Sequence, residues 1–107
     1  MSSLSTHVLD TSLGAPGIGI LVTLAALTAD QATPVADGVT NEDGRIAALL
    51  ADGDAGPYRL TYHLDGYRGA DRLYPFVEVD VVLDAGRHHH VVLTLSPHGY
   101  FVACVPS

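Results

Sequence analysis

The strongest constraint on this chain is a two-residue period interrupted by turns. In residues 88–96, Val91, Leu93 and Leu95 fall on one side, and His88, His90, Val92 and Thr94 on the other. Successive side chains of an extended strand point to opposite faces, so the pattern predicts a strand with one core face and one mixed face. Tyr58, Leu60, Tyr62 and Leu64 alternate in the same way with Arg59, Thr61 and His63. Val77, Val79, Val81 and Leu83 alternate with Phe76, Glu78, Asp80 and Val82. The opening segment sets Leu4, Thr6 and Val8 against Ser5, His7 and Leu9. Residues 18–27 read as a further strand through their β-branched content, with Ile18, Ile20, Val22 and Leu24 sharing a face.

Gly, Pro, Asn and Asp clusters mark turns at residues 11–17, 39–45, 52–57, 65–69 and 84–87. Residues 28–33 are polar and read as a loop or short extension, and residues 47–50 form only a short apolar segment. A Ser96-Pro97-His98-Gly99 turn joins the histidine strand to residues 100–106, giving a C-terminal hairpin-like unit. One short helical turn is placed within residues 67–73. About seven or eight short strands, with turns roughly every 8–12 residues, is the pattern of a β-sandwich. The expectation is an all-β, two-sheet sandwich forming a single domain over residues 1–107.

Composition removes several classes of partner. The net charge is −7, with five Arg and no Lys. Nucleic acid and anionic membrane surfaces both need a basic patch, so neither is expected. A small anionic ligand held by one local arginine stays open. No apolar run reaches the ~20 residues of a membrane helix, and no basic region precedes a long apolar one at the N-terminus. The expected compartment is the cytoplasm. Cys104 is the single cysteine, which rules out an internal disulfide and a cysteine-built zinc site.

The chemistry-bearing residues each have an ordinary reading. Gly14-Ala15-Pro16-Gly17 is a turn rather than a phosphate loop, because no helical pattern follows it. His88 and His90 share a strand face and are spaced to chelate a metal, or simply form a solvated cluster. His7 reads alone as a packed or edge histidine, and Arg45 as a surface arginine leaving a turn. His63 reads as solvent-facing, and His98 as exposed or meeting a neighbouring subunit. Cys104 reads as a small apolar filler.

Three separated pieces read together change this picture. Ser5-Thr6-His7-Val8-Leu9-Asp10-Thr11, followed by Gly14 and Pro16, resembles the opening motif of the 5-hydroxyisourate hydrolase branch of the transthyretin family. Thr40-Asn41-Glu42-Asp43-Gly44-Arg45 is similar to that branch's arginine-bearing turn. His88-His89-His90-Val91, with Leu95-Ser96-Pro97 and Gly99-Tyr100, resembles its third signature. Tyr58-Arg59-Leu60-Thr61-Tyr62-His63 fits the strand between, so the similarity runs from about residue 4 to 100.

The resemblance implies an eight-stranded transthyretin-like sandwich and a homotetramer, a dimer of dimers with sites in a channel open at both ends. It places His7, Arg45 and His90 at catalytic positions and requires neither metal nor other cofactor. His88, His90, Val92 and Thr94 would face the channel, with His7 and Leu9 in its wall. Two imidazoles near pKa ~6.5 suit a base that activates water and an acid for a leaving nitrogen. A guanidinium can hold an acidic ureide oxygen and developing oxyanion charge.

The chain departs from that branch at its end. The hydrolases finish in Tyr-Arg-Gly-Ser. Aligned without a gap from Tyr100, Ala103 stands for the tyrosine, Cys104 for the arginine, Val105 for the glycine and Pro106 for the serine. Phe101, Ala103 and Val105 would face the channel and line it with apolar surface. Such a lining favours apolar ligands and leaves a ureide's polar groups unpaired. The leading expectation is a hydrolase-like enzyme with a small cyclic substrate more apolar than the urate derivative. It would perform amide hydrolysis or a proton-shuttled cyclisation in specialised metabolism. The alternatives are a 5-hydroxyisourate hydrolase of purine catabolism and a transthyretin-like binder without chemistry.

Overall fold

The structure, a computed structural model, describes residues 1–67 and 74–106. Among the described residues nine strands follow in order: β1 (Ser2–Asp10), β2 (Ala15–Pro16), β3 (Leu21–Leu27), β4 (Ala32–Val39), β5 (Arg45–Gly53), β6 (Gly56–His63), β7 (Phe76–Leu83), β8 (His88–Ser96) and β9 (Gly99–Pro106). One sheet runs β2-β1-β8-β9, with β5 also pairing β1, and the other runs β4-β3-β6-β7. All pairs are antiparallel except β1 with β8. The described residues contain no helix. The helical turn expected within residues 67–73 falls, apart from Tyr67, outside the described residues.

The alternation reads directly into the core. Leu4, Val8, Val91, Leu93 and Leu95 project from the first sheet, and Val22, Leu24, Leu60, Tyr62, Val77 and Leu83 from the second; all are buried. Facing sheets pack about 10 Å apart with interdigitating side chains, so inward positions must be apolar or internally bonded. Thr6 is one of the buried polar residues on these faces, with Ser2, Asp10 and His89. Its hydroxyl donates to Val91 O at 2.8 Å, so the Tyr62 hydroxyl donates to Thr6 Oγ1 at 2.7 Å. This chain links the sheets, and burial pushes the Tyr62 pKa up to about 12.

The elements that escaped the period are edge strands. Residues 32–33 belong to β4 rather than to a loop. That strand is mostly exposed, and the β3–β4 register shifts where Pro34 comes opposite Ala25. A proline is tolerated at such an edge, and an exposed edge shows no alternation. Strand β5 is nine residues rather than four, and register shifts against β1 scramble its pattern. Ile18 is 52% exposed and does not join Ile20, Val22 and Leu24 inside, because Gly19 at φ +76° breaks the extended run between Ile18 and Ile20.

Removing the hydroxyl link from either side should cost different amounts. Tyr62→Phe leaves Thr6 bonded to Val91 and should cost about 1 kcal/mol, a typical net hydrogen bond. Thr6→Val strands the buried Tyr62 hydroxyl and should cost about 1–3 kcal/mol. Urea unfolding of both variants checks the ranking; equal costs would contradict the bonding direction.

Candidate functional site

Strand β1 acts as the ruler of the site. On one flank it pairs in parallel with β8, placing Ser5 opposite His90 and His7 opposite Val92. On the other flank it pairs with β5, placing His7 opposite Arg45. Paired residues share a face, so the outward face carries Ser5, His7, Arg45, His88 and His90 together. The rings of His7 and His90 lie 6.4 Å apart, tilted by 39°.

The turn before β5 aims Arg45. Asn41 Oδ1 accepts the N–H groups of Asp43 and Arg45, both at 2.9 Å, which closes an Asx turn. Gly44 then takes φ +75°, and its carbonyl accepts the Val8 N–H at 2.8 Å. A Cβ here would lie 2.5 Å from Val8 O, so only glycine brings the turn this close to β1. Thr40, buried beside it, donates to Gly17 O and accepts the Ile20 N–H, pinning the preceding loop. Asp10, in the opening motif, is buried: one oxygen caps the Ser12 and Leu13 N–H groups, and the other accepts the Tyr67 hydroxyl at 2.7 Å.

These elements frame an open groove of about 480 Å³ walled by Ser5, Arg45, Ile46, Ala47, His88, His90 and Val105. That volume suits a small ligand. Desolvation by burial, then the nearby His7, Arg45 and His88, pull the His90 pKa below its ordinary value. His90 is thereby kept neutral, with a ring nitrogen able to take a proton near neutral pH. The Arg45 guanidinium is a fixed cation beside that base and can hold an anionic oxygen.

The candidate residues divide into two groups. His88, His90, Arg45 and Val105 wall the groove, while His7 lies just outside that wall with its ring 6.4 Å from that of His90. Val92 pairs with Ala103 and Thr94 with Phe101, farther along the same outward face. Leu9 belongs to a separate hollow with Gly14, Ala15 and Pro16. These five therefore do not border the groove within one chain. Phe101 and Val105 are 68% and 51% exposed, so this face presents apolar surface. Cys104 pairs with Val91 and takes the opposite face; partial desolvation and nearby Asp84 push its thiol up, contrary to what a nucleophile needs.

Sequence reasoning missed Ser5, Ile46 and Ala47. Ser5 already shared parity with His7, but only the parallel register shows that it meets His88 and His90. Its hydroxyl lies 2.9 Å from His88 Nε2 and 2.6 Å from His90 Nδ1. The two histidines spaced for chelation are thus bridged by a hydroxyl, and among the described residues no group of three metal-ligating side chains gathers. His63 is on the other sheet, half-buried rather than solvent-facing, against Thr23 and the edge of Phe76.

The depressed His90 pKa yields a direct check. Titration followed by NMR should place His90 below the ordinary ~6.5. Arg45→Gln removes one nearby cation and should raise it; an unchanged or lower value would contradict the electrostatic coupling.

The chain matches the family model described as the HIUase/Transthyretin family over residues 4–102, leaving the altered tail outside. A 5-hydroxyisourate hydrolase of Deinococcus radiodurans is 41% identical over 107 residues, covering 91% of this chain and 90% of that protein. One from Ralstonia nicotianae is 40% identical over 111 residues, covering 94% and 95%. Among solved structures, Klebsiella pneumoniae 5-hydroxyisourate hydrolase superposes with a TM-score of 0.81 at 32% identity, covering 96% of this chain and 97% of that one. Sea bream transthyretin in complex with thyroxine gives 0.85 at 27% identity, covering 97% and 95%. With the sandwich topology and a family match across nearly its whole length, this chain belongs to the HIUase/Transthyretin family.

Proposed function

We propose that this protein hydrolyses a small cyclic amide in the manner of the 5-hydroxyisourate hydrolases, with His7, His90 and Arg45 as its catalytic residues. The observation that supports this reading is that His90 and Arg45 wall one groove, with His7 opposite Arg45 and its ring 6.4 Å from that of His90. His90, held neutral, takes a proton from water at its groove-facing nitrogen. The water oxygen attacks the ring carbonyl, and Arg45 stabilises the oxyanion that develops. His7 or His90 then returns a proton to the departing ring nitrogen.

The substrate class follows from the tail. Val105 sits opposite His90, where the hydrolases resembled in the sequence carry a glycine in a polar terminal motif. A valine there adds apolar surface and no donor, so a ring bearing an alkyl or aryl group is favoured over the bare ureide. The 41% identity to a 5-hydroxyisourate hydrolase supports the second reading, in which the substrate is that ureide itself.

The proposed assembly is a homotetramer, a dimer of dimers, in which Phe101, Val105 and the neighbouring Val92 and Thr94 line a shared channel. The exposed apolar surface of Phe101 and Val105 on the site's own face supports it. The proposed setting is the cytoplasm, and no described helix is long and apolar enough to cross a membrane.

Two measurements test these readings. Freshly generated 5-hydroxyisourate and its N-alkylated analogues should be hydrolysed, with kcat/KM higher for the alkylated rings. His7→Ala and His90→Ala should each lower kcat by about 10²–10⁴-fold. Full activity in both variants would remove His7 and His90 from the chemistry, whereas ligands that bind and are recovered unchanged would replace the enzyme with a binding protein. Light scattering should give four times the 11.2 kDa chain mass, and Phe101→Asp should reduce it. A monomer at micromolar concentration would remove the channel.

A further inference from the structure

Ser3, His88, Ser5 and His90 form one continuous hydrogen-bonded row across β1 and β8. Ser3 Oγ lies 2.6 Å from His88 Nδ1, His88 Nε2 lies 2.9 Å from Ser5 Oγ, and Ser5 Oγ lies 2.6 Å from His90 Nδ1. Both ring nitrogens of His88 are engaged, so it has none left for a substrate. The bond to Ser5 uses His90 Nδ1, which leaves Nε2 for chemistry in the groove. Ser5 is 7% exposed, so bulk water does not readily replace it in the row.

We propose that Ser5 and His88 are positioning residues forming a proton relay that lets His90 serve as base in one step and acid in the next. This rests on the hydrolase reading above. One hydroxyl carries one proton, and a neutral imidazole carries one N–H. If Ser5 donates to His90 Nδ1, then His88 Nε2–H donates to Ser5, and both rings carry their proton on Nε2. If Ser5 donates to His88 Nε2, then His90 Nδ1–H donates to Ser5, and both rings carry it on Nδ1. The two rings are therefore locked to the same tautomer.

The second arrangement exposes the His90 Nε2 lone pair to the groove. When Nε2 takes a proton from water, the Nδ1 proton passes to Ser5, and the Ser5 proton passes to His88 Nε2. His90 stays neutral, now with Nε2–H, and the positive charge appears on His88. Each imidazolium N–H of His88 then has an acceptor, Nδ1–H in Ser3 and Nε2–H in Ser5. Delivery of the Nε2 proton to the leaving nitrogen runs the transfers backwards and restores the start.

Electrostatics favours that displacement of charge. His90 is faced by His7 from β1 and Arg45 from β5, while Val105 opposite it on β9 is uncharged. His88 pairs with Ser3, four residues along β1 from the His7–Arg45 pair, against two for His90. At ~3.3 Å per strand residue, the charge moves from about 7 Å to about 13 Å along the strand from Arg45. That exceeds the ~8 Å screening length at physiological salt.

Histidine tautomers read by long-range ¹H–¹⁵N NMR test the relay without any substrate. Neutral His88 and His90 should show the same tautomer, or the same mixture, and Ser5→Ala should uncouple them while Ser5→Thr keeps them matched. Opposite tautomers in the unsubstituted protein, or matched ones in Ser5→Ala, would overturn the relay. With 5-hydroxyisourate or an N-alkylated analogue, Ser5→Ala should lower kcat by on the order of 10²-fold with KM little changed, and Ser5→Thr should restore it. A loss confined to KM, or equal loss in Ser5→Thr, would make Ser5 a binding or packing residue. Absence of turnover by the unsubstituted protein would count against the hydrolase reading alone, since the tautomer measurement still decides the relay.

Discussion

The parallel pairing of β1 with β8 is the interaction on which the rest depends. These two strands lie side by side in the first sheet, and the chain between them builds most of the sandwich. Their register sends Leu4, Thr6, Val8, Val91, Leu93 and Leu95 inward, and Ser5, His7, His88 and His90 outward. A slip of one residue in either strand would turn its histidines into the core and its leucines into the groove. Fold and site therefore share one constraint. Burial of the apolar face fixes the register, and the register places the imidazoles.

Around that pair, buried polar groups position the remaining parts. Thr6 and Tyr62 bond across the sandwich, so the sheet carrying the site is tied to its support. Asp10 and Thr40 close the loops at the far end of β1, and Asn41 with Gly44 delivers Arg45 to His7. Asp10, Thr40 and Asn41 are short polar residues whose side chains satisfy backbone groups that a loop pressed against the core would otherwise leave unpaired. The opening motif and the arginine-bearing turn are thus largely architectural. Within them, His7 and Arg45 are the residues proposed to carry the chemistry, and their neighbours set where those two side chains lie.

The C-terminal strand gives this chain its own character. Strand β9 continues the sheet beyond β8 and sets Val105 against His90, Ala103 against Val92 and Phe101 against Thr94. His7, Arg45 and His90 come from β1, β5 and β8, whereas this apolar wall comes from β9. The imidazoles and the guanidinium therefore sit on different strands from the apolar wall, and one set can change while the other is kept.

The sequence by itself determined the strands whose two faces differ. β1, β6, β7 and β8 were legible because inward residues must be apolar while outward ones need not be. It also determined the charge balance, the resemblance to a family and the pairing of His7, Arg45 and His90 through that resemblance. Edge strands β4 and β5 were not legible, since an exposed or irregularly paired strand imposes no alternation on its residues. Only the tertiary structure decided that Ser5 bridges His88 and His90, that Val105 but not Phe101 or Ala103 borders the groove, and that Leu9, Val92 and Thr94 also lie outside it within one chain. Those facts depend on cross-strand register. Register is a relation between segments more than eighty residues apart for β1 and β8, and parity within one segment cannot supply it.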